Sequence, residues 1–424
     1  MISGVAAPDD GPKRFRDGGT HRTDTPEAAL SHVLPLAQRL GITRVGNLTG
    51  LDRIGVPVFA AYRPNSRSLA VFQGKGASLA AAKASAVMEA AEAWHAEHVE
   101  LPRRKGRRAD LSAAGLPAVD PAHLARAADA PLGDPRGFAF DWVQGHDLFT
   151  GEPRWVPLDV VTADFTLAGA PRGPFQATAN GLASGRHPLE AIAHALAEVI
   201  ERDALALWYA LPDATQDATA LDLGTVPAAL RTGLLDRFSA AGVALRAFDA
   251  TSDIGVATVL CLAVEERGGA EEGEVLAELG SGCHPDPAIA LARAAAEAAQ
   301  GRLQRIAGAR DDLPGGRWSD RLRTERAAAA RAWLEASAAP RRVFGSLPDL
   351  AGDTLAADIA AMLARLAGAG LVEAVWVDLA RPNIGLSVVR VVVPGLEGQP
   401  GLIGGGYVQG LRARRAMNEA RCRW

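Results

Sequence analysis

Three stretches of the chain repeat one arrangement of ionisable residues. In the first, Ser85, Glu89 and Glu92 stand at i, i+4 and i+7. In the second, Glu190, His194, Glu198 and Arg202 follow one another at every fourth position, with Glu201 three after Glu198. In the third, Arg293, Glu297 and Gln300 return to i, i+4 and i+7. On an α-helix each set lies along one side, about a turn apart. A single stripe of this kind reads as a solvated face with Glu–Arg pairs. Three of them, on helices otherwise made of Ala and aliphatics, suggest stripes that converge on something charged. Glu89, Glu92, Glu198 and Glu201 facing one another would repel unless a cation lay between them. Hard oxygen donors point to Mg²⁺, which usually brings phosphates with it.

The elements that must position these residues can be read around them. Ala177–Trp208 runs from a loop containing Asn180, Gly181 and Gly185 into a helix that starts around Pro188, a residue suited to a first turn. Ile192, Leu196, Val199, Ile200 and Leu207 recur at helical spacing as its buried stripe. The first stripe sits on a helix over Ser78–Glu100 after the loop Phe72–Ser78, and the third on a helix over Pro285–Arg310. Thr25 and Pro26 open an earlier helix as N-cap and first residue. Strands are expected at Val58–Tyr62, Ser68–Phe72, Phe138–Trp142, Arg154–Val161, Val243–Asp249, Ile254–Val264, Ala277–Gly282, Val372–Asp378 and Ser387–Val393. Amphipathic helices are expected over Ala228–Ala241, within 313–350 and over Asp358–Ala367, with a hairpin loop at Glu265–Glu274. Strand, short Gly-containing loop and ligand helix thus form a repeated unit.

A chain of 424 residues implies one large domain or two intimately joined ones. Its 48% hydrophobic and 22% charged residues are ordinary for a soluble globular protein. A net charge of −4 without a basic stripe argues against a nucleic-acid partner, and no apolar run reaches membrane-span length. Cys261, Cys283 and Cys422 are too scattered for a disulfide framework or a zinc site, which fits a reducing cytoplasm. Cys283 reads as a buried structural thiol. Residues 1–24 mix charge, Gly and Pro and read as a disordered tail without a secretory signal; 25–400 form the body; 401–424 are an Arg-rich tail with a triple glycine at Gly404–Gly406. Residues 101–137 read as a surface excursion. Its run Arg103, Arg104, Lys105, Arg107 and Arg108 is either a solvated face or a contact for an acidic leader peptide or partner. Lys75 is followed by Gly76 rather than Ser or Thr, so no P-loop is present. Glu92-x-x-His95 matches half of a di-iron carboxylate site but lacks its second half, which makes His95 a helix-surface residue.

The ordered set of motifs resembles the YcaO family of ATP-dependent enzymes that activate backbone amides. The matching residues are Gly74-Lys75-Gly76 with Ser85-x-x-x-Glu89-x-x-Glu92, then Asn180-Gly181 with Glu190 and Glu198-x-x-Glu201-Arg202. Gly282-x-His284-Pro285 with Arg293-x-x-x-Glu297-x-x-Gln300 follows, and Val388–Glu397 (VVRVVVPGLE) resembles a late family strand and turn. The resemblance covers roughly Gly41–Glu397. It implies an α/β (α+β) fold of mixed sheets packed with helices, and an ATP site between the Glu-bearing helices. It further implies that Glu89, Glu92, Glu198 and Glu201 hold Mg²⁺. Ser85, Arg186, Glu190, Arg202, Arg293, Glu297 and Gln300 would surround the ATP, with Lys75 either a phosphate contact or a plain loop lysine. His194 would orient a neighbour rather than transfer protons. Many relatives carry Asn where this chain has Arg186, and azoline-forming members end in a Pro-x-Pro-x-Pro run that this chain lacks.

The stretch Ile42–Val58 resembles the branch that works with a TfuA partner in thioamidation. A peptide or protein substrate is implied, with a partner delivering sulfur or leader peptide (TfuA-like or E1-like), and a homodimer is allowed. No catalytic residue beyond the ligand sets is singled out. Cyclodehydration, amidine formation and a non-catalytic scaffold stay open as alternatives to thioamidation.

Overall fold

A computed structural model of the chain describes residues 5, 7, 9–17, 19–166, 173–265, 277–308, 330, 342–400 and 407–421. Strands β1 (Phe15–Asp17) and β2 (Thr20–Arg22) pair antiparallel in the opening segment. For the described residues of 1–24 this corrects the reading of a disordered tail. Lys13 is buried and ion-paired with Asp358 at 2.7 Å, and Arg22 donates to Glu190 at 2.8 Å. Specific buried ion pairs hold the segment, so it has no apolar period by which to announce itself.

Helix α1 (Pro26–Val33) starts as expected, with Thr25 Oγ1 accepting from the Ala28 N–H at 3.2 Å. β3 (Arg44–Asn47), β4 (Val58–Tyr62) and β5 (Val71–Lys75) form an antiparallel sheet in that order. β5 begins beyond the expected Ser68 because Ser68 donates through its backbone N–H and its hydroxyl to Glu97, at 3.1 and 2.6 Å, and is held in a loop. α2 (Leu79–Glu97) follows, capped by Ser78.

A six-stranded antiparallel sheet contains β6 (Arg103–Gly106), β7 (Phe140–Asp147), β8 (Pro153–Pro157) and β9 (Leu182–Gly185). β9 feeds α3 (Pro188–Tyr209). A third sheet, also antiparallel, is β10 (Val243–Asp249), β11 (Thr258–Glu265) and β12 (Ala277–Cys283), and feeds α4 (Pro287–Ile306). Then come α5 (Leu355–Gly368), β13 (Val375–Asp378), β14 (Ser387–Val392) and α6 (Leu411–Arg421). The large sheet runs β6-β7-β13-β14-β9, with β8 on the free side of β7. The helix expected over Ala228–Ala241 is broken by a π turn at Arg231–Leu235, which contains Gly233. The loop expected at Glu265–Glu274 and most of the helix expected within 313–350 lie outside the described residues, as do Gly404–Gly406 and Cys422.

Strand alternation divides the core. Leu182, Val375, Val377, Val388 and Val392 face the α2 side of the large sheet, and Ala183, Trp376, Val389 and Val391 face α3 and α5. α4 packs on the third sheet. His95, expected at a helix surface, is fully buried on α2, its Nδ1 2.7 Å from the Ala91 carbonyl, and burial takes its pKa down to about 4.

Each ligand helix lies unusually close to the strand that precedes it. A Cβ at Gly74 on β5 would meet the Ala86 backbone nitrogen of α2 at 1.9 Å, and one at Gly280 on β12 would meet the Ala294 oxygen of α4 at 2.2 Å. Only glycine allows this approach. It brings each helix's polar stripe to the level of the strand and of the loop between them.

Candidate functional site

The first stripe meets β9. Glu92, half-buried on α2, accepts from the backbone N–H and hydroxyl of Ser184 at 2.9 and 2.7 Å. Burial, with repulsion from Glu89 and Glu198, pushes its carboxyl up to about 8 despite the Ser184 bonds. Glu89, the middle member of the same stripe, is exposed and Ser85 is half-buried. Glu198 on α3 accepts from the Gly181 N–H at 3.4 Å. Burial raises its pKa and Glu201 adds to the rise, while Arg202 and Arg390 oppose it.

The second and third stripes share a chain of polar contacts. Arg202 donates to Glu201 at 2.8 Å and to the Ser281 hydroxyl at 3.3 Å; Ser281 donates to Glu201 at 2.7 Å and lies 3.4 Å from Glu297. Lys75 ion-pairs with Glu297 at 2.8 Å, and Gln300 donates to the Gln73 carbonyl of β5 at 2.8 Å. Burial disfavours the charge on Arg202, but Glu201, Glu198 and Glu297 outweigh it and raise its pKa. Burial likewise works against the Glu297 carboxylate, yet Lys75 and Arg202 hold its pKa below the ordinary value. Arg293 is brought down to about 10, first by burial and then by Arg22. His194 is held neutral by burial and by Arg293, Arg22 and Lys75.

Two expected site residues engage the opening segment. Glu190 accepts from Arg22 at 2.8 Å and from the Thr23 hydroxyl at 3.0 Å. Arg186 lies 3.5 Å from Asp24. Arg293 lines a small cavity with His21, Arg22, Glu190 and His194, also against the opening segment. Lys75, Arg202, Glu201, Glu297 and Gln300 gather where α3, α4, β5 and β12 meet.

Sequence reasoning missed Ser184, Ser281, Arg22 and Arg390. Arg390 had a visible signal, since it is the one charged residue within the apolar run of β14. Alternation puts it on the α2 face of the sheet, 4% exposed, donating to the Thr178 carbonyl at 2.7 Å. Burial lowers its pKa to about 10 while Glu198 supports its charge. Ser184 and Ser281 had none, because a small polar residue in a strand gains meaning only from the helix laid across it. Cys283, read as structural, is buried with its thiol pushed up to about 12 by burial.

The donor set fits Mg²⁺. Buried carboxylates that repel one another are the hard oxygen ligands such an ion requires. The four carboxylates do not converge on one point, which suits an ion that takes one or two protein oxygens and completes its shell with phosphate and water. Lys75 and Arg202 add cationic groups beside the carboxylates, paired here with Glu297 and Glu201. Among the described residues, three metal-capable atoms come within 4.8 Å only at His21, His284 and Asp358. There the Lys13 ammonium already sits on Asp358 at 2.7 Å, and His284 Nδ1 accepts from the Asp286 N–H at 2.9 Å, so its neutral ring carries the proton on Nε2. That cluster is filled by its own cation.

Comparison with known proteins gives the same assignment. The chain is 36% identical over 407 residues to a protein from Rhizobium leguminosarum bv. trifolii described as an uncharacterized protein in the tfuA 3' region, covering 94% of this chain and 93% of that one. A Methanothermobacter thermautotrophicus protein is 34% identical over 364 residues, covering 84% and 90% of the two chains. Among solved structures, YcaO from Methanopyrus kandleri bound with AMPPCP and Mg²⁺ superposes with a TM-score of 0.67 at 26% identity, covering 91% of this chain and 94% of that one. A heterocyclase in complex with substrate and cofactor shares the fold at a TM-score of 0.76 and 24% identity; this chain is 94% covered and spans 55% of that protein's length. The family model described as YcaO cyclodehydratase, ATP- and Mg²⁺-binding, matches residues 73–397. All three carboxylate helices fall inside that span, and the chain belongs to the YcaO family, with ATP and Mg²⁺ as the ligands its site is built to take.

Proposed function

We propose that this protein activates a backbone amide of a peptide or protein by O-phosphorylation, and that sulfide then replaces the oxygen to give a thioamide. ATP with Mg²⁺ supplies the phosphoryl group that turns a poor leaving oxygen into phosphate. The chain's own part is to hold and neutralise. Glu92, Glu198 and Glu201, with the exposed Glu89, would hold the Mg²⁺. Lys75, Arg202 and Arg293 orient the triphosphate and offset the charge that develops during transfer. Ser184 and Ser281 aim the carboxylates. Sulfide adds at the amide carbon, the oxygen leaves as phosphate, and the C=S bond forms as the adduct collapses.

The observation favouring thioamidation over azoline or amidine formation is the 36%-identical relative from the tfuA region. It also supports a TfuA-like protein as the partner that delivers sulfur or peptide. The test is incubation of the full chain with ATP, Mg²⁺, sulfide, a TfuA-like protein and a candidate peptide, followed by mass spectrometry and phosphate release. Exchange of one oxygen for sulfur with one phosphate released is the expected result. Loss of water at a Cys, Ser or Thr would replace thioamidation with cyclodehydration. Absence of nucleotide binding would favour the scaffold reading.

A further inference from the structure

Nothing in the proposed ATP and Mg²⁺ chemistry uses residues 407–421, yet this stretch is built into the fold. Glu397 is 4% exposed. Its carboxylate accepts from the Gly410 and Ala413 N–H groups at the start of α6, at 2.7 and 2.8 Å, and from the Tyr407 hydroxyl at 2.7 Å. A carboxylate there satisfies orphan donors and complements the helix dipole. A Cβ at Gly410 would stand 2.7 Å from the Glu397 Oε1, so a larger residue there would push the carboxylate aside. The Glu397 backbone N–H donates to Asp203 Oδ1 at 2.9 Å. Arg412, in the first turn of α6, closes the ring: its Nε and Nη2 donate to the two Asp203 oxygens at 2.9 Å each. Arg412 also reaches Asp253 at 2.6 Å.

Asp203 is fully buried and follows Glu201 and Arg202 directly on α3. At about 100° per residue it turns roughly 200° away from Glu201. It therefore grips the helix from the side opposite the carboxylate stripe. Apolar side chains seat α3 against the large sheet and α5. The planar fork of Arg412 on both Asp203 oxygens adds a directional hold against rotation about the helix axis, because a bidentate pair fixes angle as well as distance.

We propose that the Asp203–Glu397–Arg412 ring is a positioning device for the Mg²⁺–nucleotide site, fixing the roll of α3 and with it the aim of Glu198, Glu201 and Arg202. This rests on the ATP and Mg²⁺ site described above and not on the identity of the sulfur chemistry. None of the three ring residues is placed against metal or nucleotide, so they act through the helix. α6 thereby becomes part of the site's scaffold.

The test measures Mn²⁺ affinity and the Mn²⁺ electron paramagnetic resonance spectrum on the full chain with a non-hydrolysable ATP analogue. Arg412→Gln should weaken Mn²⁺ binding roughly tenfold or more and alter the spectrum, as loss of support behind metal ligands does. Arg412→Lys should recover part of the loss, and Asp253→Asn should change neither readout. Arg342→Gln, which breaks an ion pair to Asp249 at the end of β10 without touching the carboxylate stripe or the ring residues, serves as the stability control. It should lower the melting temperature without changing Mn²⁺ affinity. Wild-type affinity and spectrum in Arg412→Gln, or a loss matched by Arg342→Gln at equal melting temperature, would overturn the proposal. If Arg412→Gln does not fold, Asp203→Asn is read by the same two criteria. A wild type that binds neither Mn²⁺ nor the analogue would remove the site itself and the ring's role with it, a result distinct from equal binding by both proteins.

Discussion

Glu92 carries a carboxyl that the protein alone disfavours in its ionised form. Burial and the neighbouring Glu89 and Glu198 raise its pKa from the ordinary 4.5 to about 8. Between those values the folded chain binds this proton more tightly than the unfolded chain does. Stability therefore falls as pH rises through that window. A cation among the carboxylates removes the repulsion. The melting temperature should decline from about pH 5 to about pH 8 in buffer alone, and the decline should flatten with Mg²⁺ and an ATP analogue. Glu92→Gln should show a flatter profile in buffer and weaker Mg²⁺-dependent nucleotide binding. Parallel profiles for wild type and variant would separate Glu92 from the effect.

At the scale of elements, the site depends on how closely strands and loops approach the ligand helices. Gly181 has φ +78°, and a Cβ there would lie 2.3 Å from the Val391 oxygen of β14. Its N–H reaches Glu198, and its carbonyl accepts from the Val391 N–H at 2.8 Å. Gly181→Ala should destabilise by roughly 1–2 kcal/mol from the left-handed backbone alone. The clash adds to this and displaces the N–H from Glu198, so nucleotide affinity should fall as well. Chemical denaturation and calorimetry read the two effects separately; unchanged stability would show that the loop has room to move. Gly280→Val forces β12 and α4 apart and should cost about 1–3 kcal/mol through overpacking. The same measurements should show weaker nucleotide binding, because Glu297 and Gln300 move with α4.

For the whole molecule, the opening segment is structural. Removing residues 1–24 strips the ammonium from Asp358, whose side chain is 1% exposed, and the guanidinium from Glu190. Breaking a buried pair by deleting one partner costs roughly 3–5 kcal/mol. The truncated chain should melt well below the full one, and Lys13→Ala should reproduce much of the loss. Equal melting temperatures would return the segment to the status of a tail. Among the described residues no helix is long and apolar enough to cross a membrane.

The sequence by itself determined the three ligand helices, the Pro188 start of α3, the capped start of α1 and the identity of the family. Helical period, Ser, Thr and Pro at N-termini, and the i, i+4, i+7 stripes are local properties, and local properties survive in a one-dimensional reading. It also placed β4 and β10 at their observed ends. Tertiary structure alone decided what the stripes face. Ser184 and Ser281 became carboxylate partners only when β9 and β12 were laid against α2, α3 and α4. Arg390 acquired its place beside Glu198 from the pleat of β14 and its pairing with β9. Buried ion pairs fix both charged ends of the chain, Lys13 to Asp358 and Arg412 to Asp203, which is why residues 1–24 read as a disordered tail and 401–424 as no more than an Arg-rich one. The partners in those pairs lie hundreds of positions apart. Hydrophobic period records which side of an element is buried, whereas long-range charge pairing leaves no periodic trace.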